Sequence, residues 1–142
     1  MASRSSRREG ADQAPPGIVL DAEGLSAAAR GDSRARAIVR ITRDLGAPIQ
    51  ISAITLTETM RGTDRDAGVH WITRRAQVVP VDASLAVEAG ALLGRVGRSD
   101  TVDAVVAVTA GRQPHRVMLL TSDVDDLAAL TADMPNVTVV EI

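Results

Sequence analysis

Ile18-Val19-Leu20-Asp21 is the stretch that decides how this chain is read: three consecutive apolar residues, two of them β-branched, ending on a carboxylate. A strand with one wet face alternates apolar and polar residues. A continuous apolar run is the pattern of a strand buried on both faces, as in a parallel sheet covered by helices. The run is preceded by the turn-forming Ala14-Pro15-Pro16-Gly17. Behind it the character changes: Ala22 to Arg30 and Ser33 to Leu45 have helical composition. The second carries Ile38, Ile41 and Leu45 on one predicted apolar face and is stopped by Gly46-Ala47-Pro48.

The same alternation runs outward to the end of the chain. Ile49-Gln50-Ile51 is the next strand, with Ser52 as N-cap of a helix carrying Ile54, Glu58 and Arg61. Asp64 is expected to cap a short helix through Trp71 and Ile72. Val78-Val79-Pro80-Val81 is expected to be a third strand, at an edge because of Pro80. Asp82 then caps a helix with Leu85, Ala89, Leu92 and Val96, and Asp100 opens another through Ala110. Val117 to Leu120 is a strong strand ending in Thr121-Ser122-Asp123; a helix to about Thr131 and a strand at Val137 to Val140 follow. This order predicts an α/β protein, a three-layer α/β/α domain over residues 18–142 with a parallel sheet of about five strands. Residues 1–17, polar and Arg-rich, read as a disordered tail. Right-handed crossovers would bring the carboxyl ends of the strands to one edge, where such folds bind ligands.

Composition narrows the chemistry. The 142 residues suit one domain with one core. Trp71 is the only aromatic residue, so Val, Ile, Leu and Ala must fill that core. The absence of Cys excludes disulfides, thiolate ligands and thiol nucleophiles. All 16 basic residues are Arg, and the absence of Lys excludes a P-loop nucleotide hydrolase and Schiff-base chemistry. A net charge of −2 argues against a non-specific nucleic-acid coat protein. It leaves a nuclease open, because a bound cation inverts the charge of an acidic site. No apolar stretch approaches the roughly 20 residues of a membrane span. Arg4, Arg7 and Arg8 have no apolar run directly behind them, so no secretory signal is read and a cytoplasmic location is expected.

Four acids stand out by position. Asp21 and Asp123 each follow a strand; Glu58 and Asp103 are expected in the first turns of helices starting at the same edge. Carboxylates brought together raise one another's pKa and destabilise the fold unless a hard divalent cation compensates. Such an ion lowers the pKa of water and stabilises charge on a phosphoryl oxygen, the chemistry of phosphodiester hydrolysis. The competing reading is helix capping, since Asp is a favoured N-cap, and both Asp100/Asp103 and Asp123/Asp126 have capping-box spacing. Capping explains Asp103 or Asp123 readily, Asp21 less readily, and Glu58 not at all. His70 and His115 show no metal-ligand spacing.

Read in order, Ile18-Val19-Leu20-Asp21, Ser52-Ala53-Ile54-Thr55-Leu56-Thr57-Glu58, Asp103-Ala104-Val105-Val106-Ala107-Val108-Thr109-Ala110 and Leu119-Leu120-Thr121-Ser122-Asp123 resemble the four motifs of PIN-domain ribonucleases, including the toxins of bacterial VapBC toxin–antitoxin pairs. The resemblance runs from Ile18 to Ile142. It implies a sheet of order 3-2-1-4-5 and a Mg²⁺ or Mn²⁺ site made by Asp21, Glu58, Asp103 and Asp123. Asp100 and Asp126 match accessory acids, and Thr121 and Ser122 match hydroxyl residues beside the last acid. It further implies an endoribonuclease that cleaves RNA by metal-activated water, leaving 5′-phosphate and 3′-hydroxyl ends. The implied partners are the RNA substrate, a cognate antitoxin whose helix or strand docks beside the acids, and a second copy in a homodimer. Arg61, Arg65, Arg95, Arg98 and Arg112 are candidates for steering the RNA backbone.

Three other classes compete. A phospho-acceptor domain also places acids at strand ends, but such domains use a Lys that this chain lacks. Another metal-dependent phosphohydrolase would favour small phosphoesters over RNA. A non-catalytic binding module would show no divalent binding.

Overall fold

The computed structural model describes residues 14–142. The tail expected at residues 1–17 therefore lies, for residues 1–13, outside the described residues. The elements are β1 (Gly17–Leu20), α1 (Ala22–Arg30), α2 (Ser33–Asp44), β2 (Ile49–Ser52), α3 (Ala53–Thr59), a 3₁₀ turn (Asp64–Asp66) and α4 (Ala67–Thr73). Then come β3 (Gln77–Val79), α5 (Ala83–Val96), α6 (Thr101–Gly111), β4 (Val117–Thr121), α7 (Val124–Thr131) and β5 (Val137–Glu141). The five strands form one sheet of order β3-β2-β1-β4-β5, parallel throughout. This is the α/β architecture and strand order that the sequence resemblance implied.

Why three layers form is visible in β1 alone. Successive side chains of a strand point to opposite faces, so Ile18 and Leu20 go one way and Val19 the other. Ile18 and Leu20 pack with Leu25 and Ala28 of α1, Val39 of α2, and Val69 and Ile72 of α4. Val19 packs with Leu85 and Leu92 of α5, Ala104 to Val108 of α6, and Leu127 and Leu130 of α7. All three β1 side chains are fully buried, which is why the run carries no polar residue.

Four local readings are corrected. In α2 the buried positions are Ala35, Val39 and Thr42, whereas Ile41 and Leu45 are exposed. Thr42 can be buried because its hydroxyl donates to the Ile38 carbonyl at 2.8 Å. The third strand ends at Val79, before Pro80, whose missing N–H cannot extend the ladder, and it does lie at an edge. The helix after Ser52 stops at Thr59, so Arg61 lies beyond it and Glu58 is in its last turn rather than its first. The cap expected at Asp64 is made instead by Thr63, in a capping box with Asp66.

Candidate metal centre

The ends of β1 and β4 lie side by side, with Leu20 in register with Leu120. Asp21 and Thr121 therefore leave the sheet next to each other at its carboxyl edge. Asp21 is buried and caps α1, its Oδ1 accepting from the Gly24 N–H at 2.7 Å. Burial raises its pKa above the ordinary 3.8, against hydrogen bonds from the Thr121 hydroxyl and the Gly24 N–H that favour the charged form. Gly24 is required by crowding: a Cβ there would stand 2.8 Å from the Leu120 carbonyl oxygen. Thr121, fully buried, also accepts from the Asp123 N–H at 2.8 Å, so one hydroxyl ties the two strand-end acids together.

Helix α6 supplies Asp103 and α7 supplies Asp126, with Asp123 just before α7. One carboxylate oxygen from each of Asp103, Asp123 and Asp126 lies within 4.8 Å of the others. Asp103 feels the assembly most. Burial first, then the charges of Asp100, Asp123, Asp21 and Asp126, push its pKa up to about 6. A half-buried carboxyl with its pKa raised among neighbouring acids marks negative charge that the protein balances only in part. An all-oxygen donor set and this surplus of negative charge fit a hard divalent cation such as Mg²⁺ or Mn²⁺.

The capping alternative can now be apportioned. Asp100 is the N-cap of α6, accepting from the Asp103 N–H at 3.0 Å, and Asp21 caps α1. Asp123 occupies the N-cap position of α7 without a side-chain cap bond, and Asp103 lies inside α6. Asp103 and Asp123, the two acids with the simplest capping explanation in the sequence, are thus the two whose carboxylates are not used for it.

Glu58 stands apart. It is exposed in the last turn of α3 and belongs neither to the three-carboxylate cluster nor to the charges acting on Asp103. Its helix does pack against α6. Ser122 is exposed. Asp126, matched only as an accessory acid, is a full member of the cluster; its spacing of three from Asp123 puts it one helical turn further on the same face. The sequence reading missed that Arg98 ion-pairs with Asp126, and no local signal joins residues so far apart. Arg112 is likewise paired, with Glu88 at 2.7 Å.

A family model for the PIN domain matches residues 18–132. The chain belongs to the PIN-domain family. Comparison with curated protein sequences returns no match. Among solved structures, the chain resembles VapBC2 from Rickettsia felis bound to a DNA fragment from its promoter, with a TM-score of 0.68 and 15% identity over 89% of this chain and 98% of that one. It also resembles a toxin–antitoxin complex from Klebsiella pneumoniae, with a TM-score of 0.64 and 23% identity over 88% of this chain and 99% of that one. VapBC-1 from nontypeable Haemophilus influenzae gives 0.62 and 15% over 88% and 97%. At such identities these likenesses speak for the PIN fold. No helix among the described residues is long and apolar enough to cross a membrane.

Proposed function

We propose that this PIN-domain protein is a divalent-metal-dependent endoribonuclease and the toxin of a toxin–antitoxin pair, acting in the cytoplasm as a homodimer over a nuclease domain of residues 18–142. The observation that carries the reading is the convergence of Asp103, Asp123 and Asp126, with Asp103 pushed up to about 6. Asp103, Asp123 and Asp126 would hold Mg²⁺ or Mn²⁺ with Asp21, and Glu58 would join from α3. When bound, the ion would neutralise developing phosphoryl charge and make water acidic enough to attack at neutral pH.

The chain's own groups do the rest. The Thr121 hydroxyl fixes Asp21 and the Asp123 backbone, so the strand-end acids keep their spacing. Asp100 fixes the start of α6 and with it the height of Asp103 above the sheet edge. The antitoxin reading rests on the likeness to toxin–antitoxin complexes, and a basic antitoxin side chain would meet the acids as Arg98 meets Asp126.

Calorimetric titration of Mn²⁺ into metal-free protein, beside Asp103→Asn, tests the centre. Saturable binding weakened at least about tenfold in the variant is expected, together with RNA cleavage leaving 5′-phosphate ends. Equal binding in both proteins would place the metal elsewhere. A 2′,3′-cyclic phosphate product would rule out attack by water.

A further inference from the structure

Of the five arginines expected to steer RNA, Arg98 and Arg112 are engaged by Asp126 and Glu88. Arg95 lines a hollow between α5 and α7 that also holds Glu88 and Asp133, a poor place for a phosphate. The remaining two, Arg61 and Arg65, lie together. They line a cavity of about 440 Å³ with Thr59 and Thr63. A second cavity of about 270 Å³ is lined by Thr59 and Arg65 again, with Arg30 and Ser26 of α1. Because Thr59 and Arg65 line both, the two hollows adjoin as one groove.

This groove has an unusual charge balance for a chain of net charge −2. Among the described residues, neither Arg30 nor Arg65 ion-pairs with a carboxylate. Arg61 uses its guanidinium on the Thr57 and Met60 carbonyls, which leaves its positive charge unneutralised. The single acid in the lining is Asp66, and its oxygens accept from the backbone N–H groups of Arg61, Gly62 and Thr63. Those bonds stiffen the loop that carries Arg61 and Arg65. The floor is narrow in side-chain bulk: α4 crosses α1 so closely that a Cβ on Gly68 would stand 2.5 Å from the Ala29 carbonyl oxygen.

Three guanidinium groups and a row of Ser and Thr hydroxyls, without a competing available carboxylate, are what a phosphodiester backbone binds. The groove starts at Thr59, next in sequence to Glu58 on the helix that packs against α6, the helix that carries Asp103. We infer that the Arg30–Arg65–Arg61 groove is the track for the RNA backbone flanking the cleaved bond. This rests on the nuclease reading above and adds to it the surface that binds the substrate.

The test uses a fluorescein-labelled single-stranded RNA of mixed sequence, about 20 nucleotides long, and protein carrying Asp103→Asn in EDTA, so that binding is read without cleavage. Adding Arg30→Ala or Arg65→Ala should each weaken anisotropy-measured binding at least about fivefold. Each should also lower the slope of log affinity against log salt by about 0.7. Arg65→Lys should restore most of the binding, and Arg40→Ala, in the separate hollow between α2 and α4 that Arg40 lines with Trp71, should leave it unchanged. In protein that keeps Asp103 and is supplied with Mn²⁺, Arg30→Ala and Arg65→Ala should raise KM for RNA more than they lower kcat. If the parent cleaves RNA yet both alanine variants bind it undiminished, the track is refuted and the nuclease stands. Loss of binding only with Arg40→Ala would move the track to the Trp71 hollow and refute it equally. Undiminished RNA binding with lost binding of poly-glutamate would reassign the groove to an acidic protein partner. A parent that neither binds nor cleaves RNA would overturn the nuclease reading, and the track with it.

Discussion

Replacing Asp103 by Asn should make the metal-free protein more stable while weakening its binding of Mn²⁺ at least about tenfold. Asp103 has an ordinary pKa of 3.8 in the unfolded chain and is pushed up to about 6 in the fold. A carboxyl whose folded pKa is raised is favoured protonated, so its ionisation works against folding. The penalty is absent below pH 3.8, builds as pH rises toward about 6, and is constant above that. At about 1.36 kcal/mol per pH unit the ceiling is about 3 kcal/mol. Asp103 is only half-buried, and solvent screening brings the expected value down to about 1.5 kcal/mol. For a domain of this size that is about 5 °C in Tm. Thermal and urea unfolding in EDTA should show Asp103→Asn above the parent at about pH 7.5, with the gap closing by about pH 4. Adding Mn²⁺ should narrow or reverse the gap, because the parent, binding the ion at least about tenfold more tightly, gains more ligand-linked stability. An Asn variant less stable than the parent at neutral pH, or a gap that does not depend on pH, would refute the claim that like-charge crowding and burial strain this site.

Arg98→Ala should tighten Mn²⁺ binding severalfold by releasing the Asp126 carboxylate, and calorimetry showing weaker binding would mean that Arg98 instead holds the acid in place. Gly24→Ala drives a Cβ to 2.8 Å from a backbone oxygen of β4, and should cost about 1–3 kcal/mol in urea unfolding; an unchanged midpoint would mean that α1 can shift off the sheet edge. Asp66→Ala strips the backbone N–H groups of Arg61, Gly62 and Thr63 of their acceptor, so trypsin should cut after Arg61 or Arg65 faster, with Mn²⁺ affinity unchanged. Its carboxyl lies below the ordinary 3.8, chiefly through the Arg61 N–H bond. This contribution is present above that value and is lost as pH falls through the depressed one, opposite in sign to that of Asp103.

What the chain alone determined is what short-range chemistry writes into it. Continuous apolar runs such as Ile18-Val19-Leu20 and Val117 to Leu120 announced buried parallel strands, and Asp82, Asp100 and Ser52 announced the helices they cap. Those signals act over one turn or one strand and survive without knowledge of the partners. Asp21 and Asp123, each read as following a strand, do follow the carboxyl ends of β1 and β4, which lie side by side. Which acids converge there was decided only by packing. Asp126 enters the cluster from the first turn of α7, directly after Asp123, whereas Glu58 sits in the last turn of α3 and stays outside it, a placement that periodicity does not encode. The same holds for charge: α5, α6 and α7 bring Glu88 to Arg112 and Asp126 to Arg98, which leaves Arg30, Arg61 and Arg65 as the cations of a groove. An arginine's role is set by the carboxylates within a few ångströms of it, and only the folded chain chooses those neighbours.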